Sequence, residues 1–283
     1  MHDAKGRPPQ RGREMSLDSY ERLLTRARRM GYAFPMVSEL RDRLPPRPRI
    51  LLLRHDIDVS PVCALEMARL EHALGVRSSY FVLLHSPFYH PGAPPHIDAL
   101  RKIVDLGFEV GLHYDVEFFR RRGIEPLEGI GRDTRALEAL LGIRIRSVSQ
   151  HRPASSEVLR GISRRLVDAY SPHLTRNLHY ISDSGFRWRG ASLEQELGVR
   201  QRIHALIHPA TWAWPLDMEE TYRRCADQAG RRVRAAFDDF IASTHQYLAR
   251  RPQLDRLRLE RELGPGTQPR SHRRDAPRPP AGP

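Results

Sequence analysis

The chain is poor in the residue types that mark several common protein classes. Its 283 residues include two cysteines, Cys63 and Cys225, so a disulfide framework is not implied. No stretch approaches the roughly 20 consecutive apolar residues that a membrane-spanning helix requires. Residues 1–15 are basic and polar and lack the apolar segment of a secretory signal. Together these features give the expectation of a cytoplasmic protein.

Lysine is also scarce. The chain has two lysines, Lys5 and Lys102, and arginine supplies 45 of the 47 basic residues. The net charge of +13 and the isoelectric point near 10.5 would suit a polyanionic partner. However, six of the thirteen net charges lie in residues 1–15 and 251–283. The sequence has neither zinc-finger spacing nor a basic–aromatic RNA-binding signature. We therefore expect no specific nucleic-acid partner, whereas peripheral contact with an anionic membrane face is compatible with the charge.

The order of apolar and polar segments predicts one α/β domain between two tails. Residues 1–15 are predicted to be a disordered basic tail and residues 251–283 an arginine- and proline-rich tail. Residues 264–283 hold six prolines and no large apolar residue, so they cannot offset their ordering entropy. Between the tails, residues 16–250 alternate short apolar runs with amphipathic stretches. This alternation predicts parallel strands with helical crossovers and favours a barrel over an open sheet.

The individual elements follow from the same patterns. Ser60 and Pro61 form a helix start, and Gly75 marks the end of that helix. Another helix is predicted from Ser155 or Ser156 towards Tyr170. A long C-terminal helix is predicted over 218–248, with a break near Gly230. Strands are predicted at 50–53, 79–84, 108–112, 143–149, 180–181 and 203–207, with further helices near 97–106 and 134–141.

Polar clusters follow five of the predicted strands directly. Because the strand ends of an α/β barrel meet at one mouth, we expect these clusters to converge. Together they offer histidines, carboxylates and an arginine, and mixed His and Asp ligands suit zinc and other borderline divalent metals. The clusters are Arg-His-Asp-Ile-Asp at 54–58, His-Tyr-Asp at 113–115, His-Arg-Pro at 151–153, Asp-Ser at 183–184 and His-Pro at 208–209.

In order and spacing, these clusters resemble the motifs of the polysaccharide deacetylase superfamily, the NodB-homology domain of family 4 carbohydrate esterases. The resemblance covers about residues 48–215. It implies a distorted (β/α) barrel with a divalent metal, zinc being the first candidate. It also implies hydrolysis of an acyl group, usually acetyl, from an amino sugar or a saccharide precursor. The motifs are 54–58, Gly-Leu-His-Tyr-Asp at 111–115, His-Arg-Pro-Ala at 151–154, Ser-Asp-Ser-Gly-Phe-Arg-Trp at 182–188 and Ala-Leu-Ile-His at 205–208.

The first two motifs depart from the family pattern, which has adjacent aspartates and often two histidines four residues apart. By resemblance, Asp56 is the catalytic base and Asp58 a metal ligand, and these two roles could be exchanged. His113 is the second ligand, but Glu117 stands where a further histidine is expected. The third ligand is therefore open between Glu117 and His151. We prefer His151, because it preserves a set of two histidines and one aspartate.

The later motifs supply the remaining roles that the resemblance implies. Arg152 would pair with the catalytic base, and Asp183 would orient Arg152. His208 would be the general acid for the departing nitrogen. Trp188 and Trp212 are candidates for stacking on a sugar face, although tryptophans at such positions are at least as often packing residues.

Loss of the second-motif histidine also raises an alternative, a noncatalytic carbohydrate-binding protein on the same scaffold. The chain nevertheless retains Asp56, Asp58, His113, Arg152 and His208 together. Carbohydrate binding alone needs no base, metal ligands and proton donor. The combination therefore favours the enzyme.

Overall fold

The computed structural model describes residues 15–41, 43–153, 158–162, 164–214 and 218–263. The chain divides into two compact units, 1–226 and 227–283. All strands of the described chain lie in the first unit, and the described part of the second unit is helical. No helix among the described residues combines the length and the apolar character needed to cross a membrane.

A seven-stranded parallel sheet forms the centre of the first unit, in the spatial order β5-β4-β3-β2-β1-β7-β6. The strands are β1 (Ile50–Ile57), β2 (Ser79–Leu83), β3 (Glu109–Tyr114), β4 (Ser147–Gln150), β5 (Val167–Asp168), β6 (His179–Ser182) and β7 (Arg202–Ile207). The helices are α1 (Leu17–Arg29), α2 (Pro61–Ala73), α3 (His96–Asp105), α4 (Val116–Arg121), α5 (Pro126–Leu141), α6 (Pro172–Asn177), α7 (Leu193–Glu196), α8 (Pro209–Ala213) and α9 (Met218–Leu263), with a 3-10 turn at Val37–Leu40.

The two edge strands of the sheet approach each other although the described residues form no ladder between them. The rings of Tyr170, just after β5, and Tyr180, on β6, have centroids 6.3 Å apart. Side chains from both edges of the sheet and from its central strands pack in one interior cluster, as a closed barrel requires. The predicted distorted (β/α) barrel is therefore confirmed. The interior cluster includes Ile50, Leu52, Phe81, Val167, Ala169, Leu174 and Leu178.

Strand β1 contributes side chains to two separate hydrophobic clusters, because successive side chains of a strand point to opposite faces. Leu51 and Leu53 pack outwards in a cluster shared with α1 and α2. Ile50 and Leu52 point into the barrel interior instead. The polar end of β1 continues this alternation, so the side chains of residues 54 and 56 enter the barrel. The strand thereby carries charged groups from the apolar interior to the mouth.

Helix α2 begins as the sequence predicts. The Ser60 hydroxyl accepts a hydrogen bond from the Cys63 amide, and Pro61 occupies the first turn. Gly75, with φ of 62°, ends the segment in the left-handed conformation that favours glycine. The chain then enters β2 at Ser79.

The predicted helix towards Tyr170 is wrong in its described part. Residues 154–157 lie outside the described residues, 158–162 have no regular structure, and β5 occupies Val167–Asp168. Leu159, Ile162 and Leu166 have helix-like spacing, but they pack onto the core from an irregular segment. Their spacing therefore reflects shared burial and not a helical turn.

Helix α9 extends over Met218–Leu263 without a break at Gly230. It therefore continues beyond residue 250, into the segment predicted to be a tail. Many of its large apolar side chains are exposed, including Phe237 and Phe240.

A buried carboxylate joins α2 to strands β1 and β2. Glu71 accepts hydrogen bonds from the hydroxyls of Tyr20 (2.5 Å), Ser78 (2.6 Å) and Tyr80 (2.7 Å). Its Oε1 also lies 2.8 Å from Nε2 of His55. Burial alone would raise the pKa of Glu71, but His55 and the hydroxyl donors outweigh burial and lower it. The folded chain therefore holds this carboxyl group ionised.

Replacing Glu71 with glutamine is expected to lower the free energy of unfolding by about 3 kcal/mol at neutral pH, since it disrupts a buried charged network. Because the folded pKa of Glu71 is depressed, its contribution exists above the unfolded pKa of about 4.3 and disappears as pH falls through the folded value. Urea unfolding at neutral and acidic pH measures both effects. Glu66→Gln on the same helix is the control, and equal losses in the two variants would contradict the prediction.

Candidate active site

The carboxyl ends of the barrel strands surround a cavity of about 690 Å³. All five predicted polar clusters contribute to its wall. The convergence expected from parallel strand ends is thus present in the structure. The contributing polar residues are Asp56, Asp58, His113, His151, Arg152, Ser184 and His208.

Three candidate ligand atoms meet on one side of this cavity. Nε2 of His113 lies 3.3 Å from Oδ1 of Asp58 and 3.1 Å from Nδ1 of His151. Nδ1 of His151 lies 3.6 Å from the same Asp58 oxygen. A tetrahedral zinc ion with ligand bonds of about 2.0–2.2 Å separates its ligand atoms by about 3.3 Å. The residues therefore fit a divalent metal bound by all three side chains.

The hydrogen bonds around His113 leave the correct atom for metal binding. Its Nδ1 lies 2.9 Å from the Ser149 carbonyl oxygen and donates to it, so Nε2 keeps a lone pair. Oδ1 of Asp58 is buried and has no hydrogen-bond partner among the described residues. A buried acceptor without a donor, next to imidazole lone pairs, is the arrangement that a cation completes.

Electrostatics favour positive charge at the same point. Burial alone would raise the pKa of Asp58, but contacts with His113, His151 and His208 hold it well below its usual range. Burial would lower the pKa of His113, but Asp56 and Asp58 raise it. The cluster thus contains an ionised carboxylate that a bound cation would neutralise.

The fold brings His151 to this cluster through the pairing of β3 with β4. His113 aligns with Ser149, and the His151 amide donates to the Tyr114 carbonyl at 2.7 Å. Glu117, the other candidate for the third ligand, lies on α4 and accepts a hydrogen bond from Arg121 Nε at 2.8 Å. The described ligand cluster contains His151 and not Glu117.

Asp56 lies inside the barrel beside the ligand cluster. Its Oδ2 accepts a hydrogen bond from Arg54 Nη2 at 3.1 Å and lies 3.6 Å from His113 Nε2. The Ser149 hydroxyl donates to the same carboxylate at 3.3–3.4 Å. Arg152, the predicted partner of Asp56, instead lies exposed in the cavity wall with φ of 47°. Strand alternation was the signal that could have identified Arg54, because it shares a face with Asp56.

Asp183 contacts His208 and not the arginine that the resemblance assigns to it. Its Oδ1 lies 2.6 Å from His208 Nδ1, and both carboxylate oxygens accept from the His208 amide at 3.0–3.1 Å. Trp212 Nε1 donates to Oδ2 at 2.8 Å. Burial alone would lower the pKa of His208, but Asp183 outweighs burial, and the pKa is raised to about 9. His208 is therefore protonated at neutral pH, with Nε2 3.7 Å from Asp58.

Among the described residues, neither half-buried Trp188 nor buried Trp212, the two tryptophans predicted to contact a sugar, lines the cavity. Trp212 is 1% exposed, and its ring packs 5.3 Å from that of Tyr20 and 6.0 Å from that of Trp188. No face of Trp212 is left for a sugar, since its ring is enclosed and its N–H is bonded to Asp183. Aromatic residues in the cavity wall include Tyr170, Tyr180 and Phe186.

No family model and no curated protein match this chain. Several solved structures are similar to it. They include IcaB from Ammonifex degensii, at 18% identity and a TM-score of 0.36, covering 48% of this chain and 66% of IcaB. The peptidoglycan deacetylase PdaC from Bacillus subtilis matches at 14% identity and a TM-score of 0.41, covering 68% of this chain and 99% of PdaC.

One similar structure is a pseudoenzyme. BA3943 from Bacillus anthracis, described as a CE4 family pseudoenzyme, is 12% identical with a TM-score of 0.41, and the similarity covers 66% of this chain and 63% of BA3943. The chain thus spans about two thirds of IcaB and slightly less of BA3943. Similarities this distant establish no activity, so the case for one depends on the geometry of the site.

Proposed function

We propose that the chain is a divergent polysaccharide deacetylase, a metal-dependent hydrolase that removes an acyl group from an amino sugar or a saccharide precursor. Acetyl is the first candidate for the acyl group. One observation carries the proposal: the metal-ligand cluster of Asp58, His113 and His151 shares a cavity with a buried carboxylate and a protonated histidine. A noncatalytic binding site would not need these three components together.

The ligand set of Asp58, His113 and His151 would hold the divalent cation, and its mixture of oxygen and nitrogen atoms suits zinc. A cation held there would supply a water of pKa about 7 and polarise the acyl oxygen. The remaining protein groups must then accept one proton and donate another.

Asp56 is the better candidate for the base. It is 2% exposed, lies beside the ligand cluster and is held by Arg54 and Ser149. Asp58 faces the histidines and is better suited to be a ligand. The structure thus supports the first of the two assignments that the sequence left open. In this role Asp56 accepts the proton that the attacking water releases.

His208 is the candidate proton donor. Its Nδ1–H donates to Asp183, which directs the protonated Nε2 towards the cavity. As the bond between the acyl carbon and the nitrogen breaks, Nε2 gives its proton to the departing amine. One water is consumed, and the products are a carboxylic acid and a free amino group.

The test is acetate release from N-acetylated amino sugars, as monomers, oligomers and nucleotide-linked forms, by zinc-loaded protein. Chelator-treated protein and an Asp56→Asn variant serve as controls. We expect acetate and free amine in equal amounts from the loaded wild type, and a rate about 10²–10⁴-fold lower for the variant because a general base contributes that factor. Full metal loading without any acetate release would overturn the proposal and favour the carbohydrate-binding alternative.

A further inference from the structure

We propose that Arg54 is the positioning residue that holds the Asp56 carboxylate for proton transfer, the task that the motif resemblance gives to Arg152. The inference rests on the proposed function, since it concerns the orientation of the same base. It assigns a role to a residue of the barrel interior that does not reach the cavity wall.

The strand itself brings the two charges together. Arg54 and Asp56 are two residues apart on β1, so their side chains share the interior face. Arg54 Nη2 donates to Asp56 Oδ2 at 3.1 Å, and both residues are buried, with exposures of 0% and 2%. Because β1 pairs with β2 and β7 on its two sides, the backbone that carries this ion pair is fixed.

Tyr170 holds the same guanidinium nitrogen and packs against the group. Arg54 Nη2 also donates to the Tyr170 hydroxyl at 2.7 Å, and the guanidinium carbon lies 4.4 Å from the centre of the tyrosine ring. An arginine held by a hydroxyl, a ring and a strand loses little further freedom when it orients a carboxylate. The carboxylate therefore has one favoured orientation towards the ligand cluster.

A contribution to folding stability does not by itself explain why a buried arginine occupies position 54. Removing a guanidinium from water carries a large free-energy penalty, and well-packed apolar residues often replace buried ion pairs without loss of stability. Nε and Nη1 of Arg54 have no hydrogen-bond partner among the described residues. The earlier interior positions of β1, Ile50 and Leu52, are apolar and fully buried. A charged residue at the next interior position of β1 is best explained by its ion pair with Asp56, which orients that carboxylate.

Arg152 occupies a different setting. It lies exposed in the cavity wall and has a left-handed φ of 47°. Among the ion pairs of the described residues, the arginine that meets Asp56 is Arg54. Assigning the positioning role to Arg54 or to Arg152 therefore leads to opposite predictions about which arginine substitution lowers the activity of the base.

The experiment compares kcat, KM and zinc content of Arg54→Lys, Arg54→Met and Arg152→Met with those of the wild type, using acetate release. We expect Arg54→Met to lower kcat about 10²-fold, the effect of misplacing a catalytic group by about 1 Å. KM and zinc content should stay close to wild type. Arg54→Lys should recover part of kcat, because it restores a charge without the planar fork. A larger loss of kcat in Arg152→Met than in Arg54→Met would overturn the inference.

A double-mutant cycle separates positioning from general structural damage, and it needs only the milder Arg54→Lys if Arg54→Met fails to fold. In an Asp56→Asn background, Arg54→Lys should leave the residual rate nearly unchanged, because the base that Arg54 positions is already lost. An equal fold loss in both backgrounds would overturn the positioning role alone. An inactive, zinc-loaded wild type would overturn the proposed function and this role together.

Discussion

Replacing His113 with alanine is expected to reduce bound zinc from about one ion per chain to less than about a tenth, and acetate release at least about 10³-fold, since the attacking water would return towards the much higher pKa of bulk water. His113 is the central candidate ligand, because its Nε2 lies within 3.3 Å of candidate ligand atoms on both Asp58 and His151. Elemental mass spectrometry after equilibration with zinc measures the site directly, independently of any substrate.

The two candidates for the third ligand provide the matched comparison. His151→Ala should also lose zinc, because His151 lies in the described ligand cluster. Glu117→Ala should retain it, because Glu117 lies on α4 and pairs with Arg121. Retention of zinc by His151→Ala together with its loss from Glu117→Ala would reverse the assignment.

Replacing His208 with alanine is expected to lower kcat about 10²–10⁴-fold, the contribution of a positioned proton donor. Asp183→Asn should have a second effect on the pH dependence. The pKa of His208 is raised to about 9, mainly by Asp183 acting against burial. Since the donor must be protonated, activity should fall as pH rises through this pKa. Removing the Asp183 charge lowers the pKa and should move the alkaline limb to lower pH.

Profiles of kcat against pH, with saturating zinc and substrate, measure this shift. Trp212→Phe is the control, because it removes a hydrogen-bond donor from Asp183 but leaves the Asp183 charge beside His208. The Trp212→Phe variant should not move the alkaline limb of the kcat profile to lower pH. An Asp183→Asn variant with a lower plateau and an unmoved alkaline limb would show that Asp183 acts on His208 only through orientation.

The sequence was sufficient to predict which side chains meet at the mouth of the barrel. Asp58 and His208 directly follow β1 and β7, His113 lies near the end of β3, and parallel strands place such residues at one edge. The convergence therefore depends only on strand order and direction. Both are visible as alternating apolar and amphipathic segments.

The contacts within the site could not be predicted in the same way. Asp183 meets His208 and not an arginine because β6 lies next to β7, a neighbour relation that short motifs do not encode. Arg54 reaches Asp56 because both share one face of β1. Strand β5 has only two residues, which is too short to produce a periodic pattern. The identities of neighbours across the barrel decide these features.

The absence of a described ladder between β5 and β6 has a mechanical consequence. Between neighbouring strands the barrel can widen only by breaking backbone hydrogen bonds, whereas across this seam the described residues include a contact between the rings of Tyr170 and Tyr180. Both rings also line the cavity, and the Tyr170 hydroxyl bonds to Arg54. A bulky ligand that separates the rings would therefore strain the bond between Arg54 and Tyr170, so the width of the ligand and the placement of the Asp56 carboxylate are coupled through one tyrosine.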